Sequence, residues 1–526
     1  MTTFIRSKWL YGLIIIAILL LMIPKYSYND PDTFWHIEVG RYMLEHGQIL
    51  HYAIHTFYGD KLPYVPHEFG FQLIVAPLYA AFGWPGIYLL TAVCLFFLIL
   101  GLLRLGKVSR KELGFEEEHL LLLPFALLIS AWIYYSYFKG RPQMISSWMI
   151  VWFFVCLREY QHSARLKYAA GMIALSLAIA NFHAGVWLVI AVFTGMALLE
   201  SWIAKLLDLR KVAVFASVWL IGLLNPGGWK ALLYILTVTK NDYNLLINEW
   251  KPLRFNSLEN LPMMLLLLFF ACTLPYALQR KPFRFFFMLG ILYLGVSNYK
   301  QNLFMWLFIP YFAAALFEAI PLKTARLHFL SLSQSALRWL LAAGLLLNTA
   351  YIFAVPPEIS TRDYPVKEMD YIMQHTPAGT RPKVLARYGS SGYVMFRGAD
   401  ILCDGRQDPF ITKASVGTLG WNAFERSMYG FSEYLPEIVN DDKPDYVIIG
   451  SEASGKLITE WNKTFGTPAF KGPYGSVYPF RINSKKRATR AASPDCSLSF
   501  SLGLSSCGLA PSPGYTRPEV PMRSAK

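Results

Sequence analysis

The sequence predicts an α-helical polytopic membrane bundle, with about eleven transmembrane helices, followed by a small C-terminal extracytoplasmic α/β domain. Three observations predict this fold. The 526 residues are 55% hydrophobic and only 16% charged, whereas a soluble domain carries about a quarter charged residues. The apolar residues gather in runs whose length approaches the roughly 20 residues that cross a bilayer. After residue 355 the composition changes to that of a soluble domain.

Each predicted span is an apolar run bounded by charged residues or by Pro, Gly and Asn. The first run is too long for a signal peptide and lacks a small-residue cleavage site, so we interpret it as a retained signal anchor. The spans are predicted at 9–23, 85–105, 119–138, 143–157, 168–180, 186–207, 212–224, 261–278, 283–296, 303–320 and 337–355.

The basic residues indicate which side of the membrane each connection faces, because Lys and Arg are concentrated in cytoplasmic connections. With the N-terminus inside, every predicted inner connection is basic, whereas the outer connection at 181–185 has no Lys or Arg. An odd number of spans then places the C-terminal domain outside the cytoplasmic membrane. The net charge of +15 therefore indicates topology, and we expect no nucleic acid as a partner.

The C-terminal part is predicted to contain two different segments after the transmembrane domain at 1–355. Residues 356–482 alternate short apolar runs with Gly and Pro turns, which predicts the α/β domain. Strand-like runs occur at 383–386, 393–396 and 445–449, and helix-like runs at 366–374 and 423–429. Residues 483–526 are rich in Ser, Pro and Arg without periodicity, which predicts a disordered basic tail.

The first predicted outer loop places acidic residues directly after the first span. It contains Asp30, Asp32 and His36, and the segment from Asp32 begins like a capped amphipathic helix. Because Asp32 and His36 are four residues apart, both can lie on one helical face. The alternative is that Asp30 or Asp32 is only a helix N-cap, a position at which Asp is common.

Other polar residues are predicted on the same outer face, at the ends of the helices. Polar groups gathered at one end of a membrane bundle indicate a functional site. They are His67, Glu68, Arg141, Gln143, Asn181, His183, Asn225, Glu249, Asn298, Lys300 and Asn302.

Five short motifs follow one another along the chain. They are Asp30-Pro31-Asp32-Thr33-Phe34-Trp35-His36, Pro66-His67-Glu68, Arg141-Pro142-Gln143, Asn181-Phe182-His183-Ala184-Gly185 and Asp404-Gly405-Arg406. In this order, over about residues 1–480, they resemble a group of bacterial membrane proteins placed with the GT-C class of membrane glycosyltransferases. The chain departs from the adjacent acidic pair of some members at Pro31, which leaves the division of roles between Asp30 and Asp32 open.

The resemblance implies transfer of a sugar from a polyprenyl-phosphate-linked donor to an acceptor at the outer face of the cytoplasmic membrane. It implies Asp32 as the base or a metal ligand, with Asp30 as the second choice and His36 as a third catalytic candidate. A carboxylate there can take the proton of the acceptor and stabilise positive charge on the sugar ring.

The remaining candidates are predicted to bind substrate, each with a plainer alternative. Arg141 and Lys300 suit the carrier phosphate, but cations at helix ends also reach the membrane interface without any ligand. His183 is predicted to contact the donor phosphate or Asp32, or else to be a packing histidine. Together, the predicted substrate-binding residues are His67, Glu68, Arg141, Gln143, Asn181, His183, Glu249 and Lys300.

Three of these predictions carry further alternatives. His67 and Glu68 are a second acid or base, or they cap an interfacial helix predicted near 71–79. Glu249 lies beside Trp250, which suits sugar stacking, although a membrane-surface loop has the same composition. For Asp404-Gly405-Arg406 we favour a turn held by an Asp to Arg pair over a role in acceptor recognition.

The sequence leaves the cofactor and the acceptor open. A divalent cation, Mg²⁺ or Mn²⁺, is the one cofactor considered. The expected partners are the polyprenyl-phosphate sugar donor, the lipid bilayer, and an acceptor glycan, lipid or protein. Two other classes of function stay as alternatives: a polysaccharide or lipid transporter or export component, and a non-catalytic membrane assembly protein. Few ionisable groups lie within the apolar spans, which argues against a transporter.

Overall fold

The chain is mostly helical in the computed structural model. The model describes residues 30–115, 122–238, 247–254, 258–280, 282–317, 334–406, 408–411, 423–424, 427, 439, 442–453 and 455–480. These residues belong to one compact unit, Met1–Phe480. The predicted first span at 9–23 and the predicted tail at 483–526 lie outside the described residues.

A series of apolar helices forms the larger part of this unit. In chain order they are α1 (Pro31–His46), α2 (Phe69–Phe82), α3 (Trp84–Glu112), α4 (Leu122–Tyr137), α5 (Pro142–Ser163), α6 (Leu166–Phe182), α7 (Trp187–Ile203), α8 (Leu209–Gly222), α9 (Gly228–Leu232), α10 (Tyr234–Val238), α11 (Leu261–Arg280), α12 (Pro282–Ser297), α13 (Asn302–Phe317) and α14 (Gln334–Ala354). Every predicted span that falls within the described residues coincides with one of these helices.

Only some of these helices have the length of a membrane span. Among the described residues, α3 and the segment Ala184–Ile203, which contains α7, are long and apolar enough to cross a membrane. Shorter apolar helices include α2 and α6. The figure of about eleven transmembrane helices therefore stays a prediction.

The start of α1 explains how two neighbouring aspartates come to differ. The side chain of Asp30 accepts hydrogen bonds from the backbone N–H of Asp32 at 3.0 Å and of Thr33 at 3.4 Å. Pro31 occupies the first turn, where no helical hydrogen bond from its nitrogen is needed. Asp30 is therefore the N-cap, which leaves the carboxylate of Asp32 available for other contacts.

A buried charge network joins the helices at the far end of α5 from Arg141. Glu112 at the end of α3 accepts a hydrogen bond from Arg158 of α5 at 2.6 Å and from the Tyr311 hydroxyl of α13 at 2.6 Å. Arg284 of α12 lies 3.4 Å from the same carboxylate. Arg158 also reaches Glu200 of α7 at 2.6 Å. Side chains from five helices are thus joined in one network.

The C-terminal part contains a four-stranded sheet with strands β1 (Val384–Leu385), β2 (Tyr446–Gly450), β3 (Phe470–Lys471) and β4 (Gly475–Pro479). The strand order is β1-β2-β4-β3, with β1 parallel to β2 and the other pairs antiparallel. The accompanying helices are α15 (Val366–Gln374), α16 (Tyr388–Phe396), α17 (Asp408–Ile411) and α18 (Gly455–Phe465). The domain boundaries predicted at 355 and 482 remain predictions.

One predicted strand is wrong. Residues 393–396 form the end of helix α16 rather than a strand, and Tyr393, Val394 and Met395 are buried there. A short apolar run has no period that distinguishes a buried strand from a buried helix turn. The run at 400–403, which also resembles a strand, forms only isolated bridges, between Lys383 and Asp400 and between Thr56 and Ile401.

Helix α16 packs against α1 and so brings the C-terminal part onto the first loop. Gly392 of α16 lies so close to α1 that a methyl group there would be 2.6 Å from the carbonyl oxygen of Pro31. The bridge between Thr56 and Ile401 adds a second attachment. The sheet-bearing part is therefore built onto the segment that carries Asp32.

Candidate active site

A cavity of about 1110 Å³ collects most of the side chains that the sequence singles out. They come from α1, the start of α2, the start of α5, the turn before α7, and the connections around Glu249 and Lys300. All but two of the predicted site residues line the cavity: Asp32, His36, His67, Glu68, Arg141, Gln143, His183, Glu249 and Lys300. The helices bring these residues together at one cavity.

The guanidinium of Arg141 is shared by three carboxylates. Its Nε lies 3.0 and 2.8 Å from the two oxygens of Asp30, and its Nη1 lies 2.7 and 2.9 Å from those of Glu249. Asp32 Oδ2 is 3.3 Å from the same Nη1. Burial alone would lower the pKa of Arg141, but these carboxylates raise it well above its usual value. Arg141 is thus a permanent cation that holds three chain segments together.

Asp32 is the member of this cluster whose acidity is most useful for proton transfer. Burial raises its pKa to about 6, and the neighbouring carboxylates of Asp30 and Glu249 add to the rise, while Arg141 opposes it. The pKa of Glu249 is lowered, because Arg141 and Lys300 outweigh the effect of burial. A carboxylate with a pKa near 6 is ionised at neutral pH and is still basic enough to accept a proton.

Three histidines surround the carboxyl group of Glu68. The Nε2 atoms of His36, His67 and His183 lie 3.8, 3.7 and 3.8 Å from its oxygens. Burial lowers the pKa of all three imidazoles, to about 4 for His67, so each is neutral at pH 7. Burial also raises the pKa of Glu68 to about 7. The cluster is therefore neutral below about pH 7 and carries the negative charge of Glu68 above it.

The hydrogen bonds of the histidines indicate where the protons lie. Nδ1 of His67 is 2.8 Å from the carbonyl oxygen of Val65, which can only accept, so Nδ1 carries the proton. Its Nε2 then presents a lone pair toward Glu68. Nδ1 of His183 is 2.9 Å from the hydroxyl of Ser146. At 3.7 Å the lone pair of His67 favours the protonated form of Glu68 over the ionised form, which would repel it.

Lys300 is placed to bind an anion. It lies in a 3₁₀ turn between α12 and α13, and its Nζ is 5.3 Å from the ring centre of Trp250. Within the described part of the chain Lys300 forms no ion pair with a carboxylate. The N-terminus of α5 opens onto the same cavity through Pro142 and Gln143, and the amides at a helix N-terminus favour anions.

An apolar groove continues from this polar end between α7 and α12. Leu188, Val189, Val192, Phe193 and Met196 line it from α7, and Phe287, Gly290, Ile291 and Leu294 line it from α12. On each helix these residues recur at spacings of three or four and so form one face. The helix rise gives this lining a length of about 10 Å. The cavity is therefore amphipathic, with charged groups at one end and an apolar groove at the other.

Comparison with known proteins finds solved structures that are similar in fold. No protein-family model matches the chain, and no curated protein matches its sequence. Among solved structures, ArnT from Cupriavidus metallidurans in the apo state aligns with a TM-score of 0.50 at 12% identity, over 89% of this chain and 97% of ArnT. The chain is similar in fold to ArnT. A second ArnT structure, bound to undecaprenyl phosphate, aligns with the same TM-score, identity and coverage.

A weaker likeness is found to the Archaeoglobus fulgidus oligosaccharyltransferase in the apo form, with a TM-score of 0.48 at 10% identity. It covers 84% of this chain and 69% of that protein. The likeness to ArnT agrees with the fold expected from the GT-C resemblance, and at this level of identity it concerns the fold alone.

Two predicted site residues are not brought to the cavity of this ArnT-like fold. Asp30 is used as the N-cap of α1 and as a partner of Arg141, and its side chain is only 3% exposed. The amide nitrogen of Asn181 donates to the carbonyl oxygens of Leu177 and Leu224, at 2.8 and 3.1 Å, and so ties the end of α6 to the end of α8. Both residues make structural contacts here, and their predicted roles at the site stay predictions.

Two of the plainer alternatives are also decided. Glu68 stands at the N-cap position of α2, but its side chain forms no capping hydrogen bond and turns to the histidines. His183 is bonded to Ser146 and faces Glu68, so the expected pairing with Asp32 gives way to these two partners.

Several residues at the cavity were not predicted as site residues. Tyr388, Gly405 and Arg406 reach it from the C-terminal part. Asp404 and Arg406 do form the predicted pair, at 2.9 Å, but both are buried. The one sequence signal for these C-terminal residues was the motif Asp404-Gly405-Arg406, the last of the five motifs along the chain. The groove residues of α7 and α12 have no sequence signal beyond that of an ordinary apolar helix.

The described residues do not assemble a metal site as they stand. Among them, no group of three His, Cys, Asp or Glu side chains is arranged to hold a metal ion. The carboxylates around Asp32 already have Arg141 as their cation. We therefore assign no step to Mg²⁺ or Mn²⁺.

Proposed function

We propose that the chain is a membrane glycosyltransferase that moves a sugar from a polyprenyl-phosphate-linked donor to an acceptor at the outer face of the cytoplasmic membrane. The observation that carries the proposal is the shape and charge of one cavity. An apolar groove leads directly to Lys300, which pairs with no carboxylate among the described residues, and to a basic carboxylate, Asp32. A lipid-linked sugar phosphate has the same succession of an apolar chain, an anion and a polar group.

The donor would lie with its polyprenyl chain between α7 and α12 and its phosphate near Lys300 and the N-terminus of α5. Lys300 supplies a point charge, and the helix amides supply hydrogen-bond donors. The sugar would then lie among Asp32, Glu249 and the Glu68 cluster. Undecaprenyl phosphate bound to ArnT shows that the similar fold takes such a lipid in that protein, which supports this placement.

The transfer step follows from these positions. The acceptor oxygen or nitrogen attacks the anomeric carbon as its proton passes to Asp32. The bond between the anomeric carbon and the phosphate oxygen breaks, and its electron pair leaves with the phosphate. Positive charge that develops on the sugar ring is stabilised by the carboxylates around Arg141, and Lys300 stabilises the departing polyprenyl phosphate.

The Glu68 cluster would recognise the sugar. Neutral imidazoles of His36, His67 and His183 and a protonated Glu68 offer both donors and acceptors to sugar hydroxyls. Trp250, whose buried Nε1 has no hydrogen-bond partner among the residues that the structure describes, adds a donor and an aromatic face. The acceptor would be a glycan, a lipid or a protein.

Replacement of Asp32 tests the proposal. The full chain is reconstituted in lipid nanodiscs with undecaprenyl-phosphate monosaccharides and, in parallel reactions, a glycan, lipid or peptide acceptor, and release of undecaprenyl phosphate is measured. We expect Asp32→Asn to reduce release by about 10²- to 10⁴-fold, because the base is lost. Binding of undecaprenyl phosphate should stay within about twofold, since Asp32→Asn leaves the groove and Lys300 in place. Asp370→Asn, on α15 away from the cavity, is the control.

Two outcomes would contradict this proposal. Full release by Asp32→Asn would remove Asp32 as the base. Tight binding of undecaprenyl phosphate by the wild-type chain, without release from any donor sugar, would favour a transport or assembly role. Dependence on Mg²⁺ or Mn²⁺ stays a prediction. It is tested by measuring the release of undecaprenyl phosphate after EDTA treatment and again after either ion is added back.

A further inference from the structure

The Asp404-Gly405-Arg406 segment is more tightly built than a surface turn requires. Asp404 is fully buried and Arg406 is 2% exposed. Nε of Arg406 donates to Asp404 at 2.9 Å, and its Nη1 donates to the carbonyl oxygen of Ile54 at 2.9 Å. Because unpaired charges would be costly there, the ion pair fixes the segment in one conformation relative to the loop that contains Ile54.

Gly405 is the point at which this segment touches Asp32. A methyl group added to Gly405 would overlap Oδ1 of Asp32 and would lie 3.0 Å from Nε1 of Trp35. No residue with a side chain fits this position unless Asp32 moves. By contrast, Gly455 at the start of α18 has nothing within 4 Å of an added methyl group.

The two carboxylate oxygens of Asp32 therefore contact different groups. Oδ2 lies 3.3 Å from Nη1 of Arg141. Oδ1 accepts a hydrogen bond from Nε1 of Trp35 at 3.2 Å and is covered by Gly405. A rotation of the carboxylate toward the C-terminal part would collide with the backbone of Gly405.

We propose that Gly405 is a positioning residue for the transfer reaction. The Asp404–Arg406 pair fixes the backbone of Gly405. This backbone keeps the Asp32 carboxylate hydrogen-bonded to Trp35 and facing the cavity. The C-terminal α/β part is then a required component of the active site. This inference rests on the proposed function, because it assigns Gly405 a role through Asp32 as the base.

The test compares Gly405→Ala with the matched control Gly455→Ala in the full-length chain in nanodiscs. We expect Gly405→Ala to lower kcat by about 10- to 100-fold, because a small misplacement of a reacting group has an effect of this size. The KM for the donor lipid and the binding of undecaprenyl phosphate should stay within about twofold. The control should resemble wild type in all three measurements.

The pH profile separates positioning from a general loss of structure. The added methyl group displaces Asp32 from Trp35, and the ionised carboxylate loses a stabilising hydrogen bond. The pH at which kcat is half-maximal should therefore shift upward in Gly405→Ala. Trp35→Phe removes the same hydrogen bond without added volume and should shift the profile in the same direction. The double variant should lose less activity than the product of the two single losses.

Each result decides between the two proposals. If wild type releases no undecaprenyl phosphate from any donor, the proposed function fails and this inference fails with it. If wild type is active but Gly405→Ala keeps its kcat and its pH profile, only the inference is overturned. If Gly405→Ala does not fold, Trp35→Phe decides, and an unchanged pH profile in that variant overturns the inference.

Discussion

Asp32 and Glu68 are both partly buried acids with a raised pKa, yet their surroundings differ. Asp32 lies among the charges of Arg141, Asp30 and Glu249, and its pKa is raised to about 6. Glu68 lies among three neutral imidazoles, and burial raises its pKa to about 7. Two carboxyl groups whose environments differ in this way can take different roles at one pH. We assign proton acceptance to Asp32 and sugar binding to Glu68.

This assignment predicts a pH dependence. Asp32 acts as a base only when ionised, so kcat/KM should rise as the pH increases through about 6. Because sugar binding uses the protonated form of Glu68, kcat/KM should fall again above about pH 7. Release of undecaprenyl phosphate measured from about pH 4.5 to about pH 8 gives the profile. Glu68→Gln should keep the inflection near pH 6 while raising KM. Loss of that inflection in Glu68→Gln would show that Glu68, and not Asp32, is the titrating group.

Lys300 gives a second prediction at this scale. Lys300→Gln removes the cation that faces the phosphate, so affinity for undecaprenyl phosphate should fall by about 10-fold or more, as for loss of a charge-assisted hydrogen bond. Lys463→Gln, on the exposed side of α18, changes the net charge equally and should leave affinity unchanged. Equal weakening in both variants would mean that overall charge, rather than Lys300, attracts the lipid.

Residue chemistry in the sequence was enough to find the polar groups of the site but not their partners. Asp, Glu, His, Arg and Lys beside apolar runs are rare enough to stand out, and most of those selected line the cavity. The choice between Asp30 and Asp32 depended on which one caps α1. Either aspartate can cap the helix, because Pro31 is compatible with a helix that begins after Asp30 and with one that begins after Asp32. Asn181 could not be excluded either, because its amide partners are the backbone carbonyl oxygens of Leu177 in α6 and of Leu224 just after α8.

At the scale of elements, helices were predicted well because hydrophobicity over 15 or so residues is a strong signal. Short elements were not. The sequence predicts a strand at 393–396, but the run is helical because α16 packs on α1. The groove between α7 and α12 needs two faces from segments about 100 residues apart in sequence. No local pattern specifies which apolar faces meet, so the groove could not be predicted.

The charge network around Glu112 predicts a large effect on stability. Glu112→Ala leaves Arg158 and Arg284 buried without their shared carboxylate, which should cost about 3–5 kcal/mol. The Tm in detergent micelles should fall clearly, whereas Glu452→Ala, at a surface position, should leave it unchanged. The cavity lies at the other end of α5, about 24 Å away by helix rise. Lipid affinity of the folded Glu112→Ala protein should therefore be normal. A normal Tm would show that the network contributes little.

At the scale of the molecule, the proposal depends on which side of the membrane the cavity faces. Thr380 in the C-terminal part and Arg165 between α5 and α6 are both exposed, at opposite ends of the bundle. Thr380→Cys should react with a membrane-impermeant maleimide in whole cells, and Arg165→Cys should react only after lysis. The parent protein gives the background from its native cysteines. The reverse pattern would place the cavity on the cytoplasmic side.

The cavity draws its walls from residues 31 to 406, and this spread has a consequence for synthesis of the protein. Asp32 leaves the ribosome first, Arg141, His183, Glu249 and Lys300 follow, and Gly405 comes last. A nascent chain that has reached residue 355 contains the apolar groove and Lys300, but it lacks Gly405, which covers Oδ1 of Asp32 in the full chain. We expect such a chain to bind the proposed lipid carrier but to transfer its sugar slowly, so that few donor lipids are consumed before the C-terminal part is in place.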